Sequence, residues 1–132
     1  MTTPAATPTI LIIDDEPDLR GLMRDVLAGQ GWRVFCAANG PDGIVLNEQE
    51  NPDVILLDLR MPGMDGITTL RNIRRSDDRV QVVILTGFAS PDTIRDAAEL
   101  QVSEYLSKPF ANRDLVSIIT TAYESSLAER QE

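Results

Sequence analysis

Short apolar runs rich in β-branched residues recur along the chain at Ile10–Ile13, Val34–Ala37, Val54–Leu57 and Val82–Leu85, with a weaker one around Tyr105–Leu106. Each predicts a strand. The segments between them change period. In the first, Leu19, Leu22, Met23, Val26 and Leu27 recur at three and four positions, which predicts a helix with these residues inward, Pro17 in its first turn and Gly29 at its end. A second helix is expected from Pro41 to about Glu48. A third runs from Gly66 to about Arg75 with Ile67, Leu70 and Ile73 inward. Ser90 followed by Pro91 marks the N-cap of a fourth. The fifth starts near Asn112 with Leu115, Ile118, Ile119, Ala122 and Tyr123 inward, and its last turns are expected to fray.

Strict alternation of strand and helix implies a parallel sheet joined by right-handed crossovers, with helices on both faces. The expected fold class is therefore α/β, a doubly wound five-stranded parallel sheet. At 132 residues, with 42% hydrophobic and 25% charged residues, the chain suits one globular domain able to bury its own core. We assign residues 1–8 to a flexible tail, 9–128 to the domain and 129–132 to a frayed end. No apolar stretch is long enough to span a bilayer, and MTTPAATPT has neither the basic start nor the apolar run of a signal peptide, so a cytoplasmic location and no membrane partner are expected. Cys36 is the single cysteine and lies in an apolar run, which reads as a small buried hydrophobe.

Charge narrows the function. A net charge of −9 and a pI near 4.4 repel phosphate backbones, so direct nucleic-acid binding is not expected, whereas a cation site suits the balance. The chain has no histidine. It therefore lacks the commonest general base, the usual zinc ligand and any phosphohistidine of its own, and a phosphoryl donor must come from outside.

In a doubly wound parallel sheet the strand C-termini share one edge, where ligands bind. The first strand ends in Asp14-Asp15, the third in Asp58, the fourth in Thr86, and Lys108 follows the fifth. The second ends in Ala37-Ala38-Asn39 without charge, as expected of an edge strand outside the crevice. Carboxylates gathered in one crevice repel each other unless a cation joins them. Oxygen ligands without His or Cys favour Mg²⁺, with Mn²⁺ able to substitute. In phosphoryl chemistry of this kind a carboxylate attacks phosphorus, a metal and an ammonium offset charge on the phosphoryl oxygens, and a hydroxyl donates to them. Taken singly, Asp14, Asp15 and Asp58 could be turn or cap residues, Thr86 a strand end and Lys108 a solvated side chain. The joint pattern is more specific. Lys108 is the only lysine of the chain and stands where a compact point charge is needed.

With these residues in place, the sequence resembles the receiver domain of two-component response regulators, of the chemotaxis-receiver kind, from Thr9 to the fifth helix. ILIIDDEP resembles that family's first strand and acidic pair, PDVILLDLRMPGMDG its phosphoacceptor segment, VVILTGFAS its hydroxyl strand and EYLSKPF its lysine segment. The resemblance implies a flavodoxin-like sheet of strand order 2-1-3-4-5 and a cis Lys108–Pro109 bond. It implies Asp58 as phosphoacceptor, Asp15 and Asp58 as direct Mg²⁺ ligands, Asp14 acting through a metal-bound water, and the Arg60 backbone carbonyl as a further ligand. Thr86 and Lys108 would bind the phosphoryl oxygens. Thr86 and Tyr105 would form the switch, read out on the face of the fourth helix, fifth strand and fifth helix.

The implied partners are a histidine kinase or histidine phosphotransfer protein upstream and a protein target downstream. The domain would be a monomer or a weak phosphorylation-dependent dimer, acting alone or inside a longer regulator. It would not be an enzyme beyond its own aspartyl phosphorylation and dephosphorylation.

Some positions depart from that family. Gln101-Val102 stand where it usually has Gly-Ala, so the left-handed turn there is expected to be built differently. By the resemblance, Phe88 and Arg60 stand at positions that border the path of attacking water, and Phe88 is expected to shield the phosphate and slow its loss. Arg71, Arg74 and Arg75 read as a solvated basic face of the third helix. Three rivals fit less well. A haloacid-dehalogenase-type phosphatase wants a second Asp where Arg60 stands, a flavin-binding domain would have its phosphate repelled by DDEPD, and an unphosphorylated interaction module would not need all five site residues.

Overall fold

The computed structural model describes residues 7–87 and 89–130. The expected N-terminal tail, apart from Thr7 and Pro8, and the last two residues lie outside the described residues, as does Phe88 with the shielding role expected of it.

Strands β1 (Thr9–Ile13), β2 (Arg33–Ala37), β3 (Val54–Asp58), β4 (Gln81–Thr86) and β5 (Glu104–Ser107) alternate with helices α1 (Pro17–Gly29), α2 (Gly40–Glu50), α3 (Gly66–Ser76), α4 (Pro91–Glu99) and α5 (Asn112–Arg130). All neighbouring strands pair in parallel, in the order β2-β1-β3-β4-β5. This is the doubly wound, flavodoxin-like fold expected from the alternation and the resemblance.

Each strand's alternating side chains feed two separate cores. Ile10, Ile12, Val54, Leu56, Val83 and Leu85 meet Met23 and Leu27 of α1 and Leu115 and Ile119 of α5 on one face. Leu11, Ile13, Ile55, Leu57, Val82 and Ile84 meet Leu70 and Ile73 of α3 on the other. The two-sided burial explains why these strands read as unbroken apolar runs. Side-chain caps start three of the helices: Asn39 accepts from the Asp42 N–H, Asp65 from Thr68 and Ser90 from Thr93.

Two expectations about helix faces need correcting. Leu22 does not point inward but is 47% exposed, because Met23 and Leu27 already fill the narrow stripe by which α1 meets the sheet. Arg74 does not lie on a solvated face. Its Nε donates to the Leu100 carbonyl at 2.8 Å, its Nη1 to Val80 at 2.8 Å and Asp77 at 3.3 Å, and its Nη2 to Gln101 at 3.1 Å. Burial pulls its pKa down, against the opposing pull of Asp77, Asp78 and Glu129. Its side of α3 was readable from the spacing, though its partners were not. Arg74 follows Ile67 by seven residues and Leu70 by four, on the inward side of α3.

Candidate functional site

Parallel pairing brings the C-terminal ends of β1, β3, β4 and β5 to one edge, with Ile13 beside Leu57, Asp58 beside Leu85 and Thr86 beside Ser107. The chemistry-bearing residues therefore converge, and β2 stays outside as an edge strand. One carboxylate oxygen each from Asp14, Asp15 and Asp58 lie within 4.8 Å of one another. Lys108 Nζ stands 3.4 Å from Asp58 Oδ2 and 3.6 Å from Glu16 Oε1. The Lys108 N–H donates to the Thr86 carbonyl at 2.8 Å, which ties the lysine segment to the end of β4. The Lys108–Pro109 bond is cis.

The local backbone sets these side chains. Asp14 is fully buried. Its N–H donates to the Ala37 carbonyl at 3.1 Å, and its Oδ1 accepts from the Glu16 N–H at 2.8 Å. Arg20 Nη1 holds the Asp14 carbonyl at 2.8 Å. Asp58, 3% exposed, accepts at Oδ1 from the Arg60 N–H at 3.1 Å. Behind it, α3 begins so close to β3 that a Cβ on Gly66 would lie 2.6 Å from the Asp58 carbonyl oxygen and 2.6 Å from Leu59 Cα, which only glycine avoids.

Burial dominates the electrostatics. It raises the Asp14 carboxyl to about 6; the Glu16 N–H bond opposes it, and the Asp58 charge adds to it. Burial also raises Asp58, against the Arg60 N–H bond and the Lys108 charge. For Lys108 burial alone would lower the pKa, but Asp58, Asp14 and Glu16 outweigh it and push the value up, so the ammonium is held charged. Two carboxyls raised by burial in one crevice make the ionised pair costly there, a cost that added positive charge would reduce.

A hard divalent cation fits this site. Asp14 Oδ2 is buried and has no hydrogen-bond partner among the described residues, the three-carboxylate set is all oxygen, and Mg²⁺ would relieve the repulsion that burial sharpens. Thr86 Oγ1 is likewise buried and unpartnered among the described residues, a donor ready for an anionic oxygen. Tyr105 is 36% exposed and its hydroxyl donates to the Ile94 carbonyl at 3.4 Å. Between it and Thr86 lies a cavity of about 190 Å³, lined also by Gly87, Ala89, Ile94 and Ser107.

The sequence-predicted residues Asp14, Asp15, Asp58, Thr86 and Lys108 thus stand at one sheet edge, with Arg60 and Tyr105 adjoining. Sequence reading missed Glu16, the second carboxylate beside Lys108. Glu16 is the N-cap of α1, yet its side chain makes no cap bond and reaches Lys108 instead, which only the structure shows. Cys36 is only half-buried, and burial raises its pKa.

A family model described as the response regulator receiver domain matches residues 10–120. Among curated proteins, the chain is 38% identical over 101 residues to sporulation initiation phosphotransferase F of Bacillus subtilis (strain 168), covering 76% of this chain and 82% of that one. It is 36% identical over 115 residues to regulatory protein AtoC of Escherichia coli (strain K12), covering 87% of this chain but 25% of that protein. Among solved structures, a response regulator receiver domain protein (CheY-like) from Methanospirillum hungatei JF-1 superposes with a TM-score of 0.91 at 25% identity, over 94% of this chain and 99% of that one. Within the described residues, no helix is long and apolar enough to cross a membrane.

Proposed function

The chain belongs to the response regulator receiver domain family, and on that premise we propose that Asp58 accepts a phosphoryl group from a histidine kinase or histidine phosphotransfer protein in the cytoplasm. The observation that carries this reading is the gathering of Asp14, Asp15 and Asp58 oxygens within 4.8 Å beside Lys108.

A carboxylate oxygen of Asp58 attacks phosphorus as the bond to the donor's leaving atom breaks, and the leaving group takes a proton. Asp14, Asp15, Asp58 and the Arg60 backbone carbonyl would hold Mg²⁺, or Mn²⁺ in its place, whose charge offsets that of the phosphoryl oxygens. Lys108, 3.4 Å from Asp58 Oδ2, supplies a further positive charge, and the Thr86 hydroxyl donates to a phosphoryl oxygen. The bound phosphoryl group favours the arrangement in which Thr86 has moved toward it, and Tyr105 follows into the cavity. The changed face of α4, β5 and α5 then binds a downstream protein or joined domain. The chemistry is confined to the domain's own aspartate.

Incubation with acetyl phosphate, with and without Mg²⁺, followed by intact mass tests the reading beside Asp58→Asn. The expected result is a gain of one phosphoryl group that requires both Mg²⁺ and Asp58. A gain that persists in Asp58→Asn would place the acceptor elsewhere and end it.

A further inference from the structure

Helix α4 is fastened unequally at its two ends. At its C-terminus the Val102 N–H donates to the Ala97 carbonyl at 3.3 Å and the Gln101 N–H to Ala98 at 3.1 Å, the paired bonds of a Schellman cap. The cap position that favours glycine is Gln101, with φ of 61°, a left-handed conformation that a side chain makes costly. This turn leaves the Leu100 and Gln101 carbonyls without helical partners, and Arg74 of α3 takes both, together with the carbonyls of Val80 and Asp77 that lead into β4. Ala97 is fully buried, and Arg71 stands 3.7 Å from Asp96. The guanidinium thus binds the end of α4 to the segment leading into β4 through four charge-assisted bonds.

Among the described residues, nothing comparable holds the other end. Ser90 caps α4 locally, Ile94 is 46% exposed, and the cavity beside Thr86 lies under this half. Among the described residues, its one hydrogen bond to the sheet runs from the Tyr105 hydroxyl to the Ile94 carbonyl, at 3.4 Å.

We propose that Arg74 is a positioning residue that makes the C-terminal end of α4 a fixed pivot, so that the conformational response to Asp58 phosphorylation is confined to the N-terminal half of α4 and Tyr105. This rests on the switch reading above. The guanidinium ties the end of α4, with its left-handed glutamine, to the segment before β4, and motion begun at Thr86 dies out along the helix before residue 97. The partner then reads a rearranged patch around Ile94 and Tyr105 and a constant one around Leu100.

Hydrogen exchange by mass spectrometry on the full chain with Mg²⁺ and acetyl phosphate tests it, comparing wild type with Arg74→Met and with Arg74→Met/Gln101→Gly, in which glycine removes the strain of the left-handed turn while the tether stays absent. Intact mass in the same samples reports the phosphoryl gain, so failure of the pivot reads separately from failure of the switch. In wild type, phosphorylation is expected to change exchange in residues 89–96 and leave 97–103 unchanged. In Arg74→Met, exchange in 97–103 rises about tenfold before phosphorylation and becomes phosphorylation-dependent. The double variant retains the fold but keeps that new dependence. A phosphorylation response that already reaches 97–103 in wild type overturns the pivot, as does a response still confined to 89–96 in both variants.

Discussion

Lys108 Nζ stands 3.4 Å from Asp58 Oδ2 although the two residues are 50 positions apart, and it is the cation nearest a carboxyl that burial holds above its usual range. Removing that charge leaves phosphoryl transfer without its counter-charge on one side. Lys108→Ala is expected to slow phosphorylation by acetyl phosphate about a hundredfold, in line with the loss of one preorganised stabilising group. Lys108→Arg restores the charge but not its compact placement and recovers only part of the rate. Initial rates by intact mass check both. A Lys108→Ala rate equal to wild type would remove Lys108 from the transfer.

Asp14 yields a pH prediction whose sign follows from its burial. Its carboxyl rises from 3.8 to about 6, so ionising it in the folded protein costs stability. The cost is absent below the unfolded value, grows as pH climbs through the window between the two, and is complete above the folded value. A rise of that size corresponds to about 3 kcal/mol, an upper figure because neighbours relax. Asp14→Asn keeps the shape and drops the charge. The metal-free variant is expected to be more stable than wild type at pH 7.5 by about 1–3 kcal/mol and equal to it at pH 3.5. Urea midpoints in chelator at both pH values decide. A less stable variant at pH 7.5 would contradict the burial cost.

The buried, unpartnered Thr86 hydroxyl predicts opposite effects in the two states. Thr86→Val replaces an unsatisfied polar atom with a methyl of similar size, so the unphosphorylated protein is expected to be as stable as wild type or more so by about 1 kcal/mol. Once Asp58 is phosphorylated the lost donor matters, and the exchange response of residues 89–96 is expected to vanish. Urea unfolding and hydrogen exchange read the two arms.

Gly66 is required by contact with backbone that cannot yield, since its Cβ would meet Asp58 O and Leu59 Cα at 2.6 Å. Gly66→Ala is expected to destabilise the domain by about 1–3 kcal/mol and, by displacing the Asp58 backbone, to slow phosphorylation beyond what lost stability explains. A midpoint within error of wild type would mean that α3 can slide away from β3.

Much of the architecture was legible because it depends on local chemistry. Val54–Leu57 read as a buried strand since both its faces are apolar, Ser90-Pro91 as a helix start since the serine oxygen and the proline ring each suit that place, and alternation of the two periods forces a parallel sheet. From parallel pairing alone, Asp14, Asp15, Asp58, Thr86 and Lys108 must share one edge, and they do. The strand order came from resemblance, because local pattern does not say which strand lies beside which.

What the tertiary structure alone decided concerns groups whose partners are remote in the chain. Arg74 looked like part of a basic face because Arg71 and Arg75 flank it. It is the carbonyls of Leu100 and Gln101, delivered by the end of another helix, that draw it in. Leu22 obeyed the helical spacing yet faces solvent, since the width of the buried stripe is set by how α1 lies on the sheet. The pKa of Asp14 follows from the same cause: a sequence states that a carboxyl is present, but only packing determines how much water it loses and which charges replace that water.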